Sequence, residues 1–142
     1  MDRRTSLHVL VVAFAATALG CAVPPPGTPA IEGTWAITSA SLGGKALPLA
    51  AFQNSPLRLA GGRYEFQNDS GEYSVIPDAV PTAIDVRGRQ GPNAGRTIPA
   101  IFNVQGDTLT ICYDLSGKAR PKHFRSEAGT QLFLVRYTRT SS

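Results

Sequence analysis

Histidine and cysteine each occur only twice in the 142 residues, and one of each, His8 and Cys21, falls in the amino-terminal stretch. His123 and Cys112 are what remains for chemistry. A zinc site draws on three or four Cys, His or carboxylate ligands, and no stretch of the chain gathers such a set. The carboxylates Glu65, Glu72, Asp78 and Asp85 are spread over separate segments. No cofactor motif is present either: Gly117-Lys118 lacks the upstream glycine that a phosphate loop needs. Charge is thin at 17% of residues. The cations do not alternate with aromatics in any run, so a nucleic-acid surface is not indicated. Long helical periodicity is missing, and no apolar run reaches the roughly 18 residues of a membrane-spanning helix.

The amino terminus has a pattern of its own. Asp2-Arg3-Arg4 gives a basic start, and Leu7–Leu19 is an apolar run of 13 broken only by His8 and Thr17. That is the length of a signal-peptide core. Ala18-Leu19-Gly20-Cys21 follows the cleavage pattern of bacterial lipoproteins, with small residues before a cysteine whose thiol takes the lipid. Residues 1–20 are therefore expected to be a lipoprotein signal peptide, with Cys21 lipidated and the protein exported and anchored to the cell envelope. Residues 21–30, with Pro24-Pro25-Pro26-Gly27 and Pro29, read as a stiff extended tether. With Cys21 acylated, Cys112 is alone, and residues 31–142 must fold by packing, without a disulfide.

Beyond Ile31 short alternating segments are separated by Gly, Pro, Asn and Asp. Trp35 and Ile37 share a face, as do Leu57 and Leu59, Tyr64 and Phe66, Tyr73 and Val75, and Ile84 and Val86. Ala100, Phe102 and Val104 alternate with Ile101 and Asn103, and Leu109, Ile111 and Tyr113 alternate with Thr108, Thr110 and Cys112. Gln131–Arg139 is apolar on both faces at first. Leu47–Asn54 has room for one or two helical turns before Pro56. Eight strands with tight connections predict an all-β fold, a small antiparallel up-and-down barrel that leaves no edge exposed. Val86–Thr97 and Asp114–Gly129, both glycine-bearing, read as its long loops.

Several stretches together resemble a family. They are Gly33-Thr34-Trp35, Gly44-Lys45-Ala46-Leu47-Pro48, Ala83-Ile84-Asp85-Val86, the run Gly91–Phe102, Gly106–Tyr113 and Gly117-Lys118-Ala119-Arg120-Pro121. In order and spacing the chain is similar to an uncharacterised lipocalin-like domain of bacterial lipoproteins, of planctomycete type, over about Ile31 to Arg139. The resemblance implies a lipocalin-like barrel and an exported or anchored location, and it supplies no activity. Lys122-His123-Phe124 departs from the family pattern, which carries a small polar residue and an acid before the aromatic.

The inward aromatics are the remaining feature. Trp35, Tyr64, Phe66, Tyr73, Phe102 and Tyr113 either line a cavity for a small apolar ligand or fill the barrel, and strands of five to seven residues favour filling. The lipocalin resemblance further implies an arginine from near the chain end over Trp35, with Arg136 preferred to Arg139. Trp35, Tyr64, Tyr73, Phe102, Tyr113 and Arg136 are thus the candidate ligand-binding residues. The expected function is a non-catalytic, membrane-anchored module binding a small apolar or anionic ligand. The alternatives are a structural or protein-interaction module with a filled barrel and, distantly, a hydrolase built on Cys112 and His123. The mouth is expected opposite the end plugged by Trp35. If the two long loops share its rim, Arg87, Arg89, Arg96, Lys118, Arg120, Lys122 and Arg125 would attract an anionic partner.

Overall fold

In the computed structural model, which describes residues 30–52 and 54–141, alternation becomes nine strands. They are β1 (Gly33–Leu42), β2 (Lys45–Ala46), β3 (Leu57–Ala60), β4 (Arg63–Phe66), β5 (Asp69–Ile76), β6 (Ala83–Gln90), β7 (Thr97–Gln105), β8 (Thr108–Asp114) and β9 (Leu132–Ser141). β2 is a short return that pairs with Ser41 and Leu42. The other eight pair antiparallel in chain order, and β9 pairs back onto β1 to close the barrel. The fold is a small lipocalin-like, antiparallel up-and-down barrel. The stretch expected to be signal peptide and the expected tether up to Pro29, Cys21 included, lie outside the described residues.

Closure rests on β1 and β9, the two longest strands at 10 residues each. Ile37 faces Tyr137 and Ser39 faces Arg136, so Thr38 is an extra residue on β1. This bulge bends the strand and shifts its parity. Trp35 is buried before the bulge, and Ala40 after it. Leu49–Phe52 forms a 3-10 turn, the one helical element among the described residues, and its Phe52 ring lies 6.2 Å from Phe66 and 6.4 Å from Phe133.

The loop expected over Val86–Thr97 is half strand. β6 continues to Gln90, leaving Gly91–Arg96 as the connection. Glycine here marks close approach of two backbones. The connection folds back on β6 through Gly88 N–H to Arg96 O (2.9 Å) and Gly95 N–H to Gly88 O (3.0 Å). A Cβ at Gly88 would lie 1.9 Å from Asn93 O.

The second long connection, between Asp114 and Leu132, is irregular as expected. It serves as a strap outside the barrel. Ala83, Ile101 and Cys112 are paired neighbours on the outer face of β6, β7 and β8, and each is at most 1% exposed. Pro121 of the strap is buried too. Arg120 fastens the strap to the sheet, donating to the carbonyls of Ile84 (3.2 Å) and Ala100 (3.0 Å) and to Asp85 Oδ1 (2.6 Å). Asp114 starts it, accepting from the Ser116 amide and hydroxyl and from the Ala119 amide. Burial raises the Asp114 carboxyl pKa, but these bonds outweigh it and the net shift is downward.

Candidate functional site

The two ends of the barrel differ. At the end where β1 begins, Trp35 is fully buried and its Nε1–H donates to Ile31 O at 2.9 Å. Arg139 is its direct cross-strand neighbour on β9. The guanidinium carbon stands 4.2 Å from the centre of the Trp35 ring, within the range of cation–π attraction. The same group donates to Glu32 O and to Ala30 O (3.1 Å), which ties down the incoming chain. Arg139, and not Arg136, therefore covers the tryptophan. Parity decides it: Val135, Tyr137 and Arg139 alternate inward, and Arg136 between them is exposed. With Phe102 and Leu109, both buried, Trp35 fills this closed end.

Toward the other end the interior is hollow. A cavity of about 220 Å³ opens there, so the barrel is not filled throughout. The volume exceeds the ~150 Å³ of an apolar cavity that admits benzene and falls short of the ~300 Å³ where drug-sized pockets begin. It is the size of a single substituted ring. Leu57, Leu59, Ile84 and Ile111 supply aliphatic lining, while Tyr64, Phe66, Tyr73, Tyr113, Phe133 and Tyr137 supply six aromatic rings. Of the residues expected to bind ligand, Tyr64, Tyr73 and Tyr113 line it. Trp35, Phe102 and Arg136 do not.

All four tyrosines of the chain thus border one space. Tyr113 and Tyr137 share a hydroxyl–hydroxyl hydrogen bond of 3.0 Å, and Tyr64 donates to Asp69 Oδ1 at 3.1 Å. Burial is the first cause of a raised pKa in each. Tyr113 is pushed up to about 12, with the bond to Tyr137 pulling back and the Asp69 charge adding. Tyr64 is raised further by the charge of Asp69 and the bond to it, Tyr137 by Tyr113, and Tyr73 by Glu32 against the Gly62 amide.

Polar residues at the mouth complete the lining. Asp69 begins β5, while Asn93 and Arg96 come from the Gly91–Arg96 connection. Asn93 Nδ2 donates to Asp69 Oδ2 at 2.6 Å, and its Oδ1 accepts from Arg96 Nη1 at 3.3 Å. Arg96 also donates to Leu115 O, at the start of the strap. The two long connections therefore meet at the mouth, opposite Trp35. Sequence reasoning placed Arg96 at the rim but missed Asn93, Asp69, Phe133 and Tyr137. The first two sit in stretches that read as turns, and the last two lie in a strand whose both faces look apolar.

Three of the seven loop cations are ion-paired: Arg89 with Glu72 (3.3 Å), Arg120 with Asp85 (2.6 Å) and Arg125 with Glu127 (3.3 Å). Cys112 and His123 are not assembled as nucleophile and base. The Cys112 thiol points to Arg125 O at 3.5 Å and burial pushes its pKa up, whereas His123 is exposed. A nucleophilic thiol needs the opposite shift. Among the described residues no three His, Cys, Asp or Glu side chains gather as a metal site, and no helix is long and apolar enough to cross a membrane. The chain matches no protein-family model, no curated protein and no solved structure.

Proposed function

We propose that this chain is a binding module that takes one small, mainly apolar, ring-sized ligand into its barrel mouth, and that a lipid on Cys21 holds it at a membrane of the cell envelope. The observation that carries the binding part is the cavity, hollow at one end of a barrel plugged at the other and lined by aromatic and aliphatic side chains. A concave, largely apolar site with a few converging polar groups is the usual form of a small-molecule pocket. The module acts by contact, not turnover. The lipid anchor rests on the Leu7–Leu19 run and the Gly20-Cys21 junction. The resemblance to planctomycete-type lipoprotein domains agrees with it. Arg139 holds Ala30 at the closed end, so a tether from that point leaves the mouth facing away from the membrane.

Calorimetric titration of the full chain with neutral single-ring probes (p-cresol, indole and 2-phenylethanol) tests the binding reading. One saturable site is expected for at least one of them. Val86→Trp, which places a large side chain on the cavity wall, should remove binding while leaving the far-ultraviolet circular dichroism unchanged. No saturable binding of any probe, or equal binding by the filled variant, would overturn the reading.

A further inference from the structure

Asp69 is the one acidic residue in the lining of the cavity. Among the described residues its two oxygens are met by neutral donors, the Tyr64 hydroxyl at 3.1 Å and the Asn93 amide at 2.6 Å. None of the ion pairs among the described residues includes it. The nearby cation, Arg96, is kept off by Asn93, which gives its amide NH₂ to the carboxylate and its amide oxygen to the guanidinium. An ionised carboxylate offers about four acceptor sites, and two are taken. The carboxylate on the cavity wall thus has no cation paired with it among the described residues and keeps room for a further donor.

The rest of the lining suits the same partner. Six aromatic rings border the space, and ring faces carry negative potential that attracts a cation within about 6 Å. The Tyr113–Tyr137 hydroxyl pair offers oxygen lone pairs inside it. The field of Asp69 reaches these groups, since its charge is among the causes that hold the Tyr64 and Tyr113 hydroxyls protonated. A second negative charge would be opposed there and a positive one welcomed. Arg96 lies at the exposed rim, where solvent and salt screen it.

We infer that the cavity selects a small aromatic monocation, a single ring bearing an alkylammonium group, with Asp69 as its counter-ion and the aromatic wall around its charge. This deepens the binding reading above and rests on it. The ring takes the aliphatic part of the cavity, and the ammonium donates to the free acceptor sites of Asp69. The competing account is that Asp69 only latches the Gly91–Arg96 connection through Asn93.

Titration of the full chain with three probes of one shape separates these accounts: 2-phenylethylamine (protonated at neutral pH), 2-phenylethanol and phenylacetate. The amine is expected to bind at least tenfold tighter than the alcohol, with phenylacetate weakest. Asp69→Asn should bring amine and alcohol within twofold of one another. The double variant Asn93→Ala/Arg96→Ala cuts the latch without freeing Arg96 to pair with the carboxylate, and should keep the tenfold preference even if Asp69→Asn folds poorly. Alcohol binding as tight as the amine, phenylacetate binding tightest, or loss of the preference in Asn93→Ala/Arg96→Ala would each overturn the inference while the cavity reading stands. Failure of all three probes to bind would overturn both.

Discussion

Arg139→Ala removes the lid of the closed end, and its cost can be worked from the contacts. The guanidinium over Trp35 contributes about 0.5–2 kcal/mol of cation–π attraction. Its bonds to Glu32 O and Ala30 O are charge-assisted, a class worth about 1.5–3 kcal/mol each when buried. The Arg139 side chain is only 18% exposed, but the carbonyls it holds lie at the chain's entry, where water replaces the lost donor. The contact with Asp107, 3.9 Å away and 81% exposed, adds little. A loss of about 2–4 kcal/mol follows. At a urea m-value of about 2 kcal/mol/M, that is a fall in midpoint of about 1–2 M with m unchanged. Arg139→Lys keeps the charge but not the planar fork that spans two carbonyls, and should lose about half as much. Arg136→Ala, outward and exposed, should stay within about 0.5 kcal/mol. The chain's single tryptophan is Trp35 itself, so its emission reports the closed end directly. A cost at Arg136 equal to that at Arg139, or a cost at Arg139 below about 0.5 kcal/mol, would refute the assignment of the lid.

Alkaline titration tests the interior. All four tyrosines have folded-state pKa values raised above the ordinary value of about 10. Their contribution to stability is therefore present in full below pH ~10 and lost as pH rises through the folded values, about 12 for Tyr113. Phenolate absorbance at pH 10 should stay below the half-titrated level and then rise together with the change in Trp35 emission as the barrel unfolds. Tyrosines half-ionised at pH 10 in a protein with native emission would show that burial does not hold them protonated. At the other end of the chain, Cys21→Ser in the expressing cell should leave an unprocessed precursor. Cleavage and release as efficient as in the parent would refute lipidation.

Much of the barrel was legible because alternation is a local signal. Each of the seven segments with apolar residues at every second position, and the apolar run that follows them near the chain end, forms a barrel strand, and mostly tight turns between them favour antiparallel pairing. What escaped is what alternation cannot carry. In β6 the glycine at 88 looked like a loop, whereas the chain doubles back on the strand and needs the missing side chain for Asn93 O. In β8, Cys112 sits on the face that reads as solvent-exposed, yet it is fully buried because the strap that follows β8 folds back over it. In β9, Leu132 to Val135 are apolar without a break, so no phase could be assigned from that run. The phase is available further on, where Tyr137 and Arg139 bracket Thr138 and set the inward positions. Reading the strand from its polar end would have placed Arg139, not Arg136, over Trp35.

The cavity was the hardest feature to foresee, because a side chain that fills a barrel and one that lines a hollow have the same sequence signature. The distinction lies in which large residues stack at one level. Trp35, Phe102 and Leu109 come from the closed-end halves of β1, β7 and β8, and together they plug that end. At the mouth the bulk sits on the walls: Tyr113 and Phe133 stack against one another at 5.8 Å between ring centres, and Phe66 and Phe133 both lean on Phe52 of the 3-10 turn. Rings that pack against their neighbours along the wall leave the axis open. The polar residues that rim it come from turns, where Asp and Asn are commonplace and mute as signals. Only when β4–β5 and β6–β7 are brought to the same end do Asp69 and Asn93 meet, and the carboxylate acquires a cavity to face.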